Sequence, residues 1–539
     1  MWPVLALAAV LSVAHALATP AFWPVDETSH VAYADHLAYE LAVPRIDDPI
    51  PVTLDYPGLD DRIGWERVQL RYGRQDIWTA NHPPLAYAGQ AVGLRVGTAI
   101  AGPGFGMFLA RLTSTAWLVV GVWASMQLAF LLAPARRDRR RMTPVEVAYA
   151  AGTLVAVTPT LSHLGGLVFN DVPAFALSTL VLYHGVRAAV GGLTPRRLQL
   201  LGVVAGLAAL TRVTALPAVG IAVLLGAYGW WRDPVAMRVP ARTRSLVLAG
   251  LAFVPAAVFW LRNIVVYGDL TGSAYLLAKF ERDLNTPVEE LVPDRFFWLK
   301  LWDRMLADLT TGHWAVGTRA HITEAVLLLV LAGVAWWAAQ RLFLRRTPPP
   351  GGRGTAESTI VLDTRARSGR LAAALRAHPA RVAWAGCAVV NAALLVSMVQ
   401  FHAAGGSLHG RYMIGGMAIT ATVMVLAIDG LPWVGRHLAV AVALPLFIVN
   451  ASLVQALNIH QSGTWSRIDI DLVLPLFAGE ATETVTLLLA AVGVALLATI
   501  TVQHRRSPRP RVDGGAESRR AGRYDVSVPN RSSRESAAL

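Results

Sequence analysis

Apolar residues in this chain neither alternate nor keep to one helical face. They run in blocks of about 17 to 25 residues, the length that carries an α-helix across a bilayer. Windows of about 19 residues place twelve such blocks, at 2–22, 109–133, 144–161, 172–190, 198–211, 213–231, 245–262, 322–341, 381–400, 412–429, 437–454 and 484–502. A transmembrane barrel would instead show tracts of about ten alternating positions, so helices must satisfy the backbone in lipid. The pattern predicts an all-α, polytopic transmembrane protein of about twelve spans.

Arginines set the orientation. ARRDRRR at 135–141, Arg196 with Arg197, the stretch from Arg232 to Arg244, the run from Arg341 to Arg381, Arg436 and the tail after Gln503 fall in alternate loops. The positive-inside rule makes that side cytoplasmic, with both termini inside and the chain in the plasma membrane. The stretch 85–103 is broken by Arg95 and by Gly102-Pro103-Gly104, and counting it as a span would put 135–141 outside. It reads as a helix on the membrane surface. The block 198–211 is short enough to reach only part of the way and line a cavity. Ala16-Leu17-Ala18 fits a small-residue cleavage site, so the first block has a second reading as a signal peptide, although no positive charge precedes it.

Two polar segments of disordered composition divide the chain: a basic cytoplasmic linker at 342–380 and a basic cytoplasmic tail at 503–539. The division predicts a membrane module at 1–341, with long outer loops at 23–108 and 263–320, and a C-terminal transmembrane part at 381–502.

Composition agrees with the block pattern. Hydrophobic residues make up 54% and charged residues 15% of the 539, against roughly 45–50% and 25% in a soluble domain. The net charge of +13 is almost wholly arginine, since Lys279 and Lys300 are the only lysines. Its place in short loops beside spans makes it a topology signal, not a nucleic-acid surface. Cys387 is the single cysteine, which excludes an intramolecular disulfide and a cysteine-based metal site.

The first outer loop reverses the sign, with eleven acidic residues against six arginines. In PVDETSH, Pro24 opens a helix, Asp26 and Glu27 occupy its first turn, and His30 follows Asp26 by one turn on the same face. This is either a helix cap or an acidic pair whose burial at the lipid boundary raises a carboxylate pKa toward a general base's range. Asp26 and His30 also suit a divalent metal, but two ligands do not make a site. NHPPLAY joins Asn81 and His82 to a loop-to-helix entry ending at Tyr87. Asn170-Asp171 stands at an outer span end, where Asp171 serves either as a cap or as a functional acid. Arg212 interrupts an apolar hairpin, as a functional charge or a snorkelling one. Arg262, Asn263 and Tyr267 lie at another outer span end, and His409, Arg411 and Tyr412 at one in the back half, all open to a reading as interfacial anchors.

In order, P-x-D-E-x-x-H, H-P-P-L-x-Y, N-D at a span end, R-N-x-x-x-Y-G-D and G-R-Y resemble the GT-C superfamily of polytopic glycosyltransferases. Within it they resemble the DUF2142-type and related bacterial membrane proteins, over about residues 1–420. The resemblance implies a GT-C-like fold with a long first extracytoplasmic loop and a polyprenyl-phosphate-sugar donor. It also implies a catalytic carboxylate at Asp26 with Glu27 beside it, and a second acid at Asp171. By the same resemblance, His30, Asn81, His82, Asn170, Arg212, Arg262, Asn263, Tyr267, Arg411 and Tyr412 bind substrate. Arg212 stands where related enzymes often carry lysine, and the large outer domain of many members has no counterpart here.

The chemistry of the residues points the same way. A lipid phosphate is already a good leaving group, so displacement at the sugar needs one base and cations for the departing phosphate. A glycosidase needs two carboxylates with separate acid and base duties. The expected partners are a polyprenyl-phosphate sugar donor, a glycan, lipid or protein acceptor outside the cell, and the bilayer. The expected cofactors are none, with a divalent metal left open. The alternatives are a lipid-linked glycan flippase, favoured by Arg212 and His184 within apolar segments, and a non-catalytic cell-envelope assembly subunit.

Overall fold

The computed structural model describes residues 1–19, 26–50, 76–134, 141–233, 239–281, 286–307, 316–344, 372–432, 435, 437, 441–463, 485, 488–489 and 491–500. Pro24, the middle of the first outer loop at 51–75, most of the ARRDRRR run, most of the linker and the whole of the tail from 501 lie outside them. Among the described residues the chain is nearly all helix, and the β-structure is one antiparallel bridge between Pro49 and Asp76.

The helices in the front part are α1 (Trp2–Ala18), α2 (Asp26–Tyr39), α3 (Leu85–Ala101), α4 (Pro103–Leu132), α5 (Pro144–Ala156), α6 (Pro159–Gly165), α7 (Asp171–Gly191), α8 (Pro195–Ala209), α9 (Leu216–Arg232), α10 (Val239–Leu251) and α11 (Val254–Tyr267). They are followed by α12 (Ser273–Lys279), α13 (Val288–Leu291), α14 (Arg295–Ala307), α15 (Val316–Leu344), α16 (Pro379–Ala403), α17 (Met417–Asp429) and α18 (Ala443–Gly463). Proline opens many of them, because the first turn has no use for its missing N–H. Thr143 and Glu146 close a capping box at α5.

Among the described residues seven helical stretches are long and apolar enough to cross a membrane: Pro103–Leu132, Asp171–Gly191, Val213–Arg232, Arg242–Tyr267, His321–Gln340, Pro379–Ala403 and Gly410–Asp429. The chain is therefore a multi-pass helical membrane protein, and among the described residues seven of the twelve blocks form full-length spans. Two others differ for local reasons. Pro159 breaks the block 144–161 into α5 and α6, bent by 62°. The block 198–211 becomes α8, of 15 residues, ending before Arg212. Trp2–Ala18, Ala443–Val454 and Ala491–Ile500 are apolar but shorter.

Small residues let the helices approach. A Cβ on Gly93 would lie 2.8–2.9 Å from the backbone of Leu109 and Ala110, and one on Gly97 would meet Phe105 and Gly106. These contacts seat α3 along the start of α4 by backbone proximity, the means by which helices associate where lipid removes a hydrophobic driving force. The face of α3 away from α4 shows Val92, Val96 and Ile100, while Arg95 donates to the carbonyl of Ala38 at 3.0 Å. Large apolar side chains left exposed, such as Val265 and Leu328, lie on the span-length helices, where lipid takes the place of water.

Polar groups inside the bundle are mostly paired. His15 and Ser162 both reach Asn450 Oδ1 at 2.9 Å, which ties α1, α6 and α18 together. At one end of the bundle the 3₁₀ turns Val213–Ala215 and Gly410–Gly416 pack on α7 and on each other, and Val168 in the turn 166–170 and Arg411 reach the first two residues of α2. This end carries the polar site.

Candidate functional site

Asp26 and Glu27 are neighbours with separate fates. The Glu27 side chain is fully buried and accepts from Nε and Nη2 along one guanidinium edge of Arg111, at 3.0 and 2.6 Å, and from the backbone N–H of Val168 at 2.9 Å. Arg111, equally buried, also donates to the carbonyls of Ala16 and Thr19. This clamp fastens the end of α1, the start of α2 and the turn before α7 to the middle of α4. Arg111 is a charge inside an apolar helix, which is the signal that marks it, but its partner lies 84 residues away and is not visible in the sequence.

Asp26 faces the other way and pairs with Arg411. Its side chain keeps 34% exposure, whereas that of Glu27 has none. Burial alone would raise its pKa as expected, but Arg411's charge and hydrogen bond, helped by His409 and His30, reverse the shift and hold the carboxyl at about 2.

The second acid is paired in the same way. Asp171 receives Arg212, which also reaches Asn170 Oδ1 at 3.2 Å. Both guanidiniums lie against the ring of Tyr412, Arg212 at 5.0 Å and Arg411 at 5.6 Å from its centroid. Arg411 also covers Phe169. Two carboxylate–guanidinium pairs thus flank one aromatic ring. Arg411 Nε and Nη1, Asp171 Oδ2 and Asn170 Nδ2 are buried without a hydrogen-bond partner. Buried donors on a charged group are costly to leave unmade.

A wall of rings closes one side. His30 Nδ1 lies 2.7 Å from the Tyr87 hydroxyl, and its ring packs on Phe169 at 4.4 Å and parallel to His82 at 6.5 Å. Tyr33 stacks on Tyr87 and donates to the His82 carbonyl. Burial pushes the His30 pKa well below its usual value, with Asp26 opposing and Arg411 and Arg212 adding to the shift. His82 is pushed down by burial and then by Arg212, His30 and Arg411. Both imidazoles are neutral at pH 7.

The structure therefore brings together Asp26, His30, His82, Asn170, Asp171, Arg212, Arg411 and Tyr412. Arg262, Asn263, Asn81 and Tyr267 form a separate group that ties together the segments around 44–46, 80–81 and 270–271. Arg262 donates to the carbonyls of Pro44 and Ala80, Asn263 to that of Asn81 at 2.8 Å, and Asn81 to that of Thr271 at 2.7 Å. The Tyr267 hydroxyl accepts from the Ile46 N–H at 3.1 Å. Arg262 spends its donors on the Pro44 and Ala80 carbonyls and on the side chains of Asn263 and Tyr267, apart from Arg212 and Arg411. Among the described residues no three His, Cys, Asp or Glu side chains could hold a metal ion.

No family model matches the chain, and no curated protein does, so the DUF2142-type resemblance has no support there. Two solved structures of ArnT from Cupriavidus metallidurans are similar in overall course. One is bound to undecaprenyl phosphate and the other is in the apo state. Each has a TM-score of 0.43 and 15% identity. The matches cover 94% and 93% of this chain, and 72% and 77% of those chains.

Proposed function

We propose that this protein is a GT-C-type membrane glycosyltransferase that moves a sugar from a polyprenyl-phosphate donor to a cell-envelope acceptor on the extracytoplasmic face. The observation that carries the reading is the pair of guanidiniums on one aromatic ring, one of them with two buried N–H groups unspent. That is the electrostatics a departing lipid phosphate requires.

Asp26 is the base. It takes the acceptor's hydroxyl proton while the acceptor oxygen bonds to the anomeric carbon. The bond from that carbon to the phosphate oxygen breaks, and its electron pair leaves on polyprenyl phosphate. Arg411 and Arg212 hold the charge. A phosphate on Arg411 draws the guanidinium's field away from Asp26, so donor binding makes the carboxylate more basic than it is in the free site. Asp171 and Asn170 orient Arg212, His30 and His82 border the cavity as neutral hydrogen-bonding rings, and Tyr412 is the floor. Glu27 and Arg111 form a structural clamp under the start of α2 and take no part in the chemistry. Asn81, Arg262, Asn263 and Tyr267 shape the loops that an acceptor meets. The positive charge facing the phosphate comes from arginine.

The test is transfer of labelled sugar from polyprenyl-phosphate donors by purified protein in proteoliposomes, wild type against Asp26→Asn. Transfer lost in the folded variant supports the reading. Absence of transfer from every common donor by the wild type defeats it.

A further inference from the structure

Arg411 is the second residue of the 3₁₀ turn Gly410–Gly416, which follows a non-helical segment, 404–409, and something must fix that segment if the guanidinium is to stay on Tyr412 and Asp26. Within the segment, the Gly406 N–H bonds to the Phe401 carbonyl at 2.8 Å, and the Gly406 carbonyl lies 2.8 Å from His402 Nδ1. Those bonds tie it to the end of α16. Toward Arg411 the support changes to α14, in the second outer loop. Arg304 donates to the Leu408 carbonyl through Nη1. Gly410 lies so close to the backbone of Arg304 and Met305 that a Cβ there would overlap both.

Helix α14 is itself anchored at several points. The Arg304 carbonyl accepts from Thr160 at 3.2 Å on α6, and Asp303 accepts from Thr323 at 2.8 Å on α15. Phe297 stacks on His402, and Met305 and Leu306 are buried in the main core. The opposite face, with Phe296, is exposed. The helix is a rigid brace, with a surface-facing side and a side that touches the Arg411 segment.

We propose that Arg304 is a positioning residue of the anion site, holding the 408–410 backbone so that Arg411 faces the ligand. The inference rests on the reading of Arg411 and Arg212 as a phosphate site. Arg304 works through the Leu408 carbonyl, with Gly410 allowing the contact. Loss of either releases Arg411 from both its ligand and Asp26.

The experiment uses the full chain in nanodiscs, with a polyprenyl monophosphate and inorganic phosphate as probes, and variants Arg304→Met, Arg304→Lys and Gly410→Ala. Arg304→Met and Gly410→Ala should weaken polyprenyl phosphate binding about 10-fold, the order of one misplaced charge-assisted bond. Arg304→Lys, which can still donate to the carbonyl, should restore most of it. A second readout is the acid limb of sugar transfer. In Arg304→Met it should move up toward the ordinary carboxylate range, because Asp26 loses the cation that holds it low. Unchanged affinity in both damaging variants overturns the positioning role and leaves the phosphate reading standing. Affinity that falls only in step with melting temperature, without rescue by lysine, reduces Arg304 to a structural residue and also overturns it. A wild type that binds neither probe removes the phosphate reading, and this inference with it.

Discussion

Glu27→Gln separates two roles for the acidic pair. The substitution keeps the shape and still accepts the Val168 N–H, but it removes the charge opposite Arg111, whose guanidinium is fully buried. Arg111 would then lose its charged partner, with the carbonyls of Ala16 and Thr19 still among its acceptors, while the new amide turns an N–H group toward its donors. Breaking a buried pair by removing one partner costs about 3–5 kcal/mol, because an uncompensated charge stays buried. The melting temperature of the purified protein should fall by several degrees, with transfer per folded molecule largely kept. Arg111→Met strands Glu27 in the same way. The double variant should therefore cost less than the two singles together, with a coupling of about 1–3 kcal/mol. A Glu27→Gln protein that melts like the wild type and transfers no sugar would refute the clamp and make Glu27 the base.

Asp26→Asn should lower the melting temperature, because it removes the charge opposite the buried Arg411, while transfer per folded molecule falls by about 10²–10⁴. Near wild-type turnover would remove Asp26 from the chemistry. Arg212→Leu should weaken polyprenyl phosphate binding by about 1.5–3 kcal/mol, with titration calorimetry as the check and an unchanged constant as the adverse result. The pH dependence of stability has a worked sign. His30 and His82 have folded pKa values below the unfolded value of about 6.5, so only the unfolded chain takes up protons there, and stability falls with pH by up to about 1.4 kcal/mol per unit for each. Asp26, held low, adds stability that is lost only as pH falls from the unfolded value of about 3.9 toward 2. Melting curves at pH 7.5 and 5.0 should thus differ through the histidines, and His30→Gln should flatten the difference. A wild type with one melting temperature at both would contradict it.

Helix content was legible because lipid imposes a rule on the backbone that composition displays. The number of full-length spans was less so, since apolar length does not reveal a break. Pro159 is one proline among 31, and only its 62° bend distinguishes it from those that open helices without interrupting a span. The site residues were legible as types at span ends, for Asp26, Asp171, Arg212 and Arg411 are charges where charge is expensive. Their partners were not. Asp26 meets Arg411 across 385 positions, and Arg111 was hidden inside an apolar block. The pKa of Asp26 went the opposite way for that reason. Burial can be inferred from depth, but an ion pair that outweighs it cannot.

The pairings also change where the functional unit ends. A boundary at the 342–380 linker places Asp26, Asp171 and Arg212 in one part and Arg411 and Tyr412 in the other, yet Tyr412 lies under both guanidiniums. Neither part alone contains a complete anion site. The front part supplies both carboxylates and one cation, and the back part supplies the second cation and the ring between them. An ion pair across such a junction is worth little in water but more at a lipid boundary, where separating the charges exposes each to low dielectric. Asp26–Arg411 therefore ties the back part to the front part in the free protein, while Asp171–Arg212 forms within the front part. In the proposed reaction the two pairs hold the charges that a phosphate donor and an acceptor hydroxyl engage.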